Sequence, residues 1–128
     1  MKRIAVDSSA LLAVLFIEKE APRCADILAS AKSLVISSVT LAEVEIVADR
    51  RGVRGEFQQL IAQLKPQIVP VALTEARLAV DAYASWGKGV HPAALNFVDC
   101  FAYILAKSEG CPLLYVGNDF ARTDIQSA

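Results

Sequence analysis

The chain has 128 residues, the length of one domain, and a fold of this size buries roughly two-thirds of its unfolded surface without covalent staples. Hydrophobic residues make up 55% of it and charged residues 21%, a balance that excludes a disordered chain. The formal net charge of -1 excludes a generally basic nucleic-acid coat protein, while leaving room for a local basic rim.

Ile4 to Val6 reads as a short buried strand that stops at Asp7-Ser8-Ser9, and Ser8 to Ile17 reads as a helix apolar on nearly all sides. Pro22 suits the first turn of a second helix that runs to about Ala31. Leu34 to Ser37 is a second strand, Leu41 to Arg50 a third helix ended by Gly52, and Gly55 falls in the linker beyond it. From Glu56 to Lys65, Phe57, Leu60, Ile61 and Leu64 keep the spacing of an amphipathic helix. Gln67 to Ala72 is a third strand, placed at the sheet edge by Pro70. Thr74 caps a helix to Trp86, and Gly87 to Pro92 is the clearest loop. Phe97 to Ser108 is a helix stopped by Gly110, Leu113 to Val116 a fourth strand, and Asp119 opens a short last helix. Strands alternating with helices in this order signal a parallel sheet covered on both faces.

Cys24, Cys100 and Cys111 are odd in number and widely spaced, so neither a disulfide framework nor a zinc site is expected. The N-terminus does not read as a signal peptide, and no stretch approaches the roughly 20 apolar residues of a membrane span. The expectation is one domain over residues 1–128, in a reducing cytoplasm.

In a parallel sheet, strand C-termini and helix N-termini share one edge, where ligands bind. Asp7 ends strand one, Glu43 lies in the first turn after strand two, Asp99 lies in the first turn of the helix from Phe97, and Asp119 follows strand four. Taken singly, each acid has a structural reading. Thr40 to Glu43 and Asn96 to Asp99 both fit capping boxes, and Asp7 and Asp119 suit helix caps. Taken together they repel: two carboxylates about 6 Å apart cost roughly 3 kcal/mol at an effective dielectric near 20. Raised pKa values or a bound cation must answer for that cost. Oxygen donors without Cys or His select magnesium or manganese, and such a site suits phosphodiester hydrolysis. Asp124 is a candidate fifth acid. Ser9 and Asn96 are candidates to orient an acid, or simple helix openers. Glu45 points to another helix face.

The blocks Ile4 to Leu12, Thr40 to Val44, His91 to Tyr103 and Gly117 to Phe120, followed by Thr123-Asp124, resemble the PIN domain, and more narrowly the VapC-type toxins of bacterial toxin–antitoxin pairs. The resemblance runs from residue 4 to about 125. It implies a three-layer α/β/α sandwich with a four- to five-stranded parallel sheet. It also implies a Mg2+- or Mn2+-dependent endoribonuclease, usually a homodimer inhibited by a cognate antitoxin. Asp7, Glu43, Asp99 and Asp119 match the family's acidic positions, and Ser9 its active-site hydroxyl. Val98 departs from the glycine common before the third acid.

On this reading Asp7, Asp99 and Asp119 hold metal, with Glu43 and Asp124 as further candidates. Glu43 could instead orient the attacking water. Arg122 and Lys88 are rim contacts for phosphate, with solvated surface charge as their plainer explanation. His91 is not assigned as a base. The substrate is RNA presented as single strand or loop. Two phosphoryl-transfer alternatives fit less well: a phospho-acceptor signalling module expects a second acid beside the first and a late lysine, and an aspartyl-phosphate phosphatase expects an acid at position 9, which is Ser9. An inactive interaction domain is the third alternative.

Overall fold

The computed structural model describes residues 2–128. The elements are β1 (Arg3–Val6), α1 (Ser8–Leu15), α2 (Ala21–Ser30), β2 (Ser33–Ser37), α3 (Ser38–Arg50), α4 (Arg54–Leu64), β3 (Gln67–Val69), α5 (Leu73–Trp86), α6 (Asp99–Glu109) and β4 (Leu113–Leu114). A single 3-10 turn follows at Phe120–Arg122.

The four strands form a wholly parallel sheet in the order β3-β2-β1-β4. The C-terminal run extends the β4 edge through one parallel bridge, Leu113 to Ser127, with the Leu113 amide donating to the Gln126 carbonyl at 2.9 Å. Alternation along the strands divides the core. Ile4, Val6, Leu34, Ile36 and Leu114 face α1 to α4, packing with Leu11, Leu28, Val44 and Phe57. Ala5, Val35 and Leu113 face α5 and α6, packing with Ala79, Leu95, Phe101 and Leu105. The result is the expected sandwich of helices on both faces. Leu11, Leu95 and Leu113 are fully buried, so truncating any one to Ala costs about 2–5 kcal/mol.

Several boundaries differ from expectation. Helix α3 starts at Ser38 rather than Leu41, because the Ser37 hydroxyl caps it by accepting the Val39 amide at 3.2 Å. Helix α4 begins at Arg54, which puts Gly55 inside it. Thr74 lies within α5 and does not cap it; the Glu75 carboxylate accepts the Ala72 amide at 2.8 Å instead. Helix α6 begins at Asp99 and stops where Gly110 turns left-handed at φ 63°. Strand β4 has only two residues. Among the described residues no helix is long and apolar enough to cross a membrane.

Candidate active site

Asp7 leaves β1 in extended conformation and caps α1. Its Oδ2 accepts the Ser9 amide at 3.0 Å and the Ser9 hydroxyl at 2.6 Å. The same Ser9 oxygen accepts the Val116 amide at 2.9 Å, so one hydroxyl ties the end of β1 to the chain leaving β4. Ser9 therefore both opens the helix and orients the acid. In the order β3-β2-β1-β4 the chain moves outward from β1 on one side and returns on the other. The β1/β4 crevice is thus the topological switch point, where open parallel sheets bind ligands. Asp7 is only 4% exposed. Burial pushes its carboxyl up to about 6, against the opposing pull of the Ser9 hydrogen bonds, and the charges of Asp99 and Glu43 push further upward.

Asp99 opens α6 in reciprocal contact with Asn96. The Asn96 Oδ1 accepts the Asp99 amide at 2.8 Å, and the Asp99 Oδ2 accepts the Asn96 amide at 3.0 Å. The capping-box reading of this pair is correct, and it leaves the second Asp99 oxygen free. Burial raises the Asp99 carboxyl, the Asn96 amide lowers it, and Asp119 and Glu43 raise it again. Val98 sits at φ -70° and ψ -36°, a helical conformation that makes no demand for glycine.

Glu43 is half-buried in the second turn of α3. Its capping-box reading fails, because Ser37 is the cap. Thr40 is instead a buried residue whose hydroxyl has no partner among the described residues. Asp119 is exposed and precedes the 3-10 turn, reached through Gly117 at φ 105°, where only glycine is unstrained. The four acids reach one edge: Asp7 feels Asp99 and Glu43, and Asp99 feels Asp119 and Glu43. Among the described residues none of the four is in an ion pair, whereas neighbouring Glu45 is held by Arg54 at 2.6 Å. Nor do any three Asp, Glu, His or Cys side chains among the described residues close into a metal cage. The arrangement is a loose, open ring of oxygen donors in the electrostatic sense only, with Asp99 coupled by charge to each of the other three.

Asp124 does not join the ring. Its Oδ1 accepts the Tyr103 hydroxyl at 2.5 Å and its Oδ2 accepts Lys107 Nζ at 3.1 Å. The Tyr103 hydrogen bond, aided by Lys107, holds its carboxyl below the usual range. Both oxygens are occupied on α6, beyond Asp99. His91 is spent on structure, its Nδ1 accepting the Ala93 amide at 3.0 Å and its ring packed edge-on against Trp86 at 4.7 Å. Arg122 donates to the Pro92 carbonyl at 3.3 Å, and Lys88 is exposed on that same loop. The contact of Trp86, Tyr103 and Asp124 has no signature in the sequence, because it joins residues 17 and 21 apart that share no periodicity. Beside Glu43, Val39, Ala42, Ile46, Val47 and Val98 line an apolar groove of about 380 Å³.

A family model described as the PIN domain matches residues 4–126. The chain is 41% identical over 127 residues to Ribonuclease VapC28 of Mycobacterium tuberculosis, covering 96% of each chain. Among solved structures, it superposes on VapC20 of Mycobacterium tuberculosis, a sarcin-ricin loop cleaving toxin, with a TM-score of 0.80 at 15% identity, covering 98% of both chains. It also superposes on a toxin–antitoxin complex from Klebsiella pneumoniae with a TM-score of 0.73 at 17% identity, covering 94% of this chain and 92% of the other.

Proposed function

The chain belongs to the PIN domain family, and from that membership we propose that it is an endoribonuclease, the toxin of a toxin–antitoxin pair, cutting RNA at the ring of Asp7, Glu43, Asp99 and Asp119. The observation that carries this reading is the uncompensated charge: four acids from four distant segments share the switch-point edge, and among the described residues none of them is in an ion pair. All donors are hard oxygens, which fits Mg2+ or Mn2+. Magnesium keeps several waters, so some of these carboxylates would hold it through water rather than directly.

Asp7, Asp99 and Asp119 are the residues that would hold the metal, with Glu43 as a further ligand. When bound, such an ion supplies charge stabilisation at the scissile phosphate and lowers the pKa of water. The chain's own part is placement. Ser9 fixes one oxygen of Asp7 and Asn96 fixes one of Asp99, which leaves the other oxygen of each without a hydrogen bond among the described residues. Glu43, free of protein partners among the described residues, is suited to orient the attacking water. Arg122 follows Asp119 by three residues and reaches the loop that carries Lys88. These two cations can meet flanking phosphates, in an RNA bound as unpaired strand.

An antitoxin completes the pair, and a homodimer fits the apolar surface left open. Ile17 is 85% exposed after α1 and Ile46 is 55% exposed on α3, on the helix faces after Asp7 and before Gly52. Cleavage of an RNA hairpin with Mn2+, with EDTA, and with Mn2+ restored after EDTA tests the proposal. Cleavage lost to chelation and recovered on restoration is expected. Equal cleavage in EDTA overturns the metal-dependent mechanism, and no cleavage of any RNA under any condition overturns the enzyme.

A further inference from the structure

Asp99, Tyr103 and Lys107 stand at successive four-residue steps along α6, and so occupy one face of that helix. Asp99 belongs to the acidic ring at its upper end. Below it, the other two grip a single carboxylate: Asp124 takes the Tyr103 hydroxyl on one oxygen and the Lys107 ammonium on the other. The Tyr103 oxygen also accepts the Trp86 Nε1–H at 3.0 Å, so its donor and acceptor are both used in a residue that is 8% exposed. Trp86 is the last residue of α5, immediately before the loop that carries Lys88, and Arg122 closes the circuit by reaching Pro92.

Asp119 has no hydrogen bond of its own through its side chain among the described residues. Its place is set by the backbone of the short segment it begins, a single 3-10 turn between Gly117 and Asp124. We propose, resting on the ribonuclease reading, that Tyr103 is a positioning residue for cleavage: with Asp124 it staples the Asp119 segment along the helix that carries Asp99, and so fixes the span across the acidic ring. Asp124 thus serves the site through an anchor and not as a ligand. The Trp86 indole ties the end of α5 to the same buried hydroxyl.

The test uses the full chain with Tyr103→Phe, Asp124→Asn and Asp124→Ala, measuring kcat and KM for RNA cleavage and Mn2+ affinity by calorimetry. Tyr103→Phe is expected to lower kcat about tenfold or more and to weaken Mn2+ binding. KM should stay within about twofold, because contacts formed before the chemistry are kept. Emission from Trp86, the chain's one tryptophan, should shift as its partner is lost. Asp124→Asn keeps an acceptor for Tyr103 and should retain most of the rate, while Asp124→Ala should match Tyr103→Phe. Unchanged kcat and Mn2+ affinity in Tyr103→Phe overturns the proposal, as does full activity in Asp124→Ala. If Tyr103→Phe does not fold, the exposed Asp124→Ala decides alone. Wild type inert on RNA sinks the ribonuclease reading instead. Hydrogen exchange at residues 117–124 then still shows whether the Tyr103 hydroxyl holds that segment: faster exchange in the variants supports it, and equal exchange overturns it.

Discussion

Asp7 keeps a carboxylate where water barely reaches it, and that cost has a measurable sign. Its folded pKa, about 6, lies above the ordinary 3.8 because burial disfavours the charged form. The stability it contributes is present in full below 3.8 and is lost as pH rises through about 6. A shift of this size corresponds to about 3 kcal/mol. In chelator, Asp7→Asn should therefore be more stable than wild type at pH 8, by about 1–3 kcal/mol, and should lose that advantage near pH 4. Urea melts at the two pH values check this, and a variant no more stable than wild type at pH 8 would count against a buried, ionised Asp7. Ser9→Ala makes the complementary case. It strips one hydrogen bond from Asp7 and leaves the Val116 amide without its acceptor, for an expected loss of about 1–3 kcal/mol. Asp7 and Asp99 were legible in the sequence, because each stands where an apolar strand or a loop gives way to a helix. The direction of Asp124 was not. Its nearness to Asp119 in the chain says nothing about which way a 3-10 turn releases the backbone, and the turn sends it down α6.

At the level of elements, the helix ends decide where the acids point. Asn96 and Asp99 satisfy each other's amides, so Asn96→Ala should cost about 1 kcal/mol in stability and should also free Asp99 to turn. Denaturant melts and cleavage rates measured together separate the two effects. Helix α1 ends less comfortably. Ile17 follows it at φ 51° with 85% of its surface exposed, a left-handed conformation that costs a β-branched residue about 1–2 kcal/mol. Ile17→Gly should then raise monomer stability by about 1 kcal/mol; if Ile17 belongs to the dimer face, the same change should weaken self-association in light scattering. The start of α3 was misread because Ser37, Ser38 and Thr40 all suit a cap, and composition does not choose among them. The choice falls to Ser37 because β2 ends there, and it moves Glu43 from the first turn to the second. By contrast, β3 lies at the edge as expected, although it ends at Val69, so Pro70 stops the strand rather than sitting within it. Strand β4 has two residues because β1 ends at Val6 and offers only Ala5 and Val6 to pair with Leu113 and Leu114, a limit that the apolar pattern of Leu113 to Val116 did not reveal.

For the whole molecule, the parallel order and the switch point explain why acids from distant segments meet. Once the strands are set side by side, Asp7 and the chain after β4 lie next to each other, and Ser9 joins them. The gathered charge opposes folding, and on the proposed metal-dependent reading a bound cation would offset it. Mn2+ should raise the melting temperature by linkage, since a ligand held only by the folded state stabilises that state. A melting curve unmoved by millimolar Mn2+ would argue against a formed site. On the proposed reading the four acids act as one cleaving centre. That shared role is tested most directly by the rate of RNA cleavage for Asp7→Asn, Glu43→Gln, Asp99→Asn and Asp119→Asn beside wild type, in one Mn2+ buffer. Every variant should stay folded and lose at least about a hundredfold in rate; wild-type rates in any two of them would rule out a shared centre.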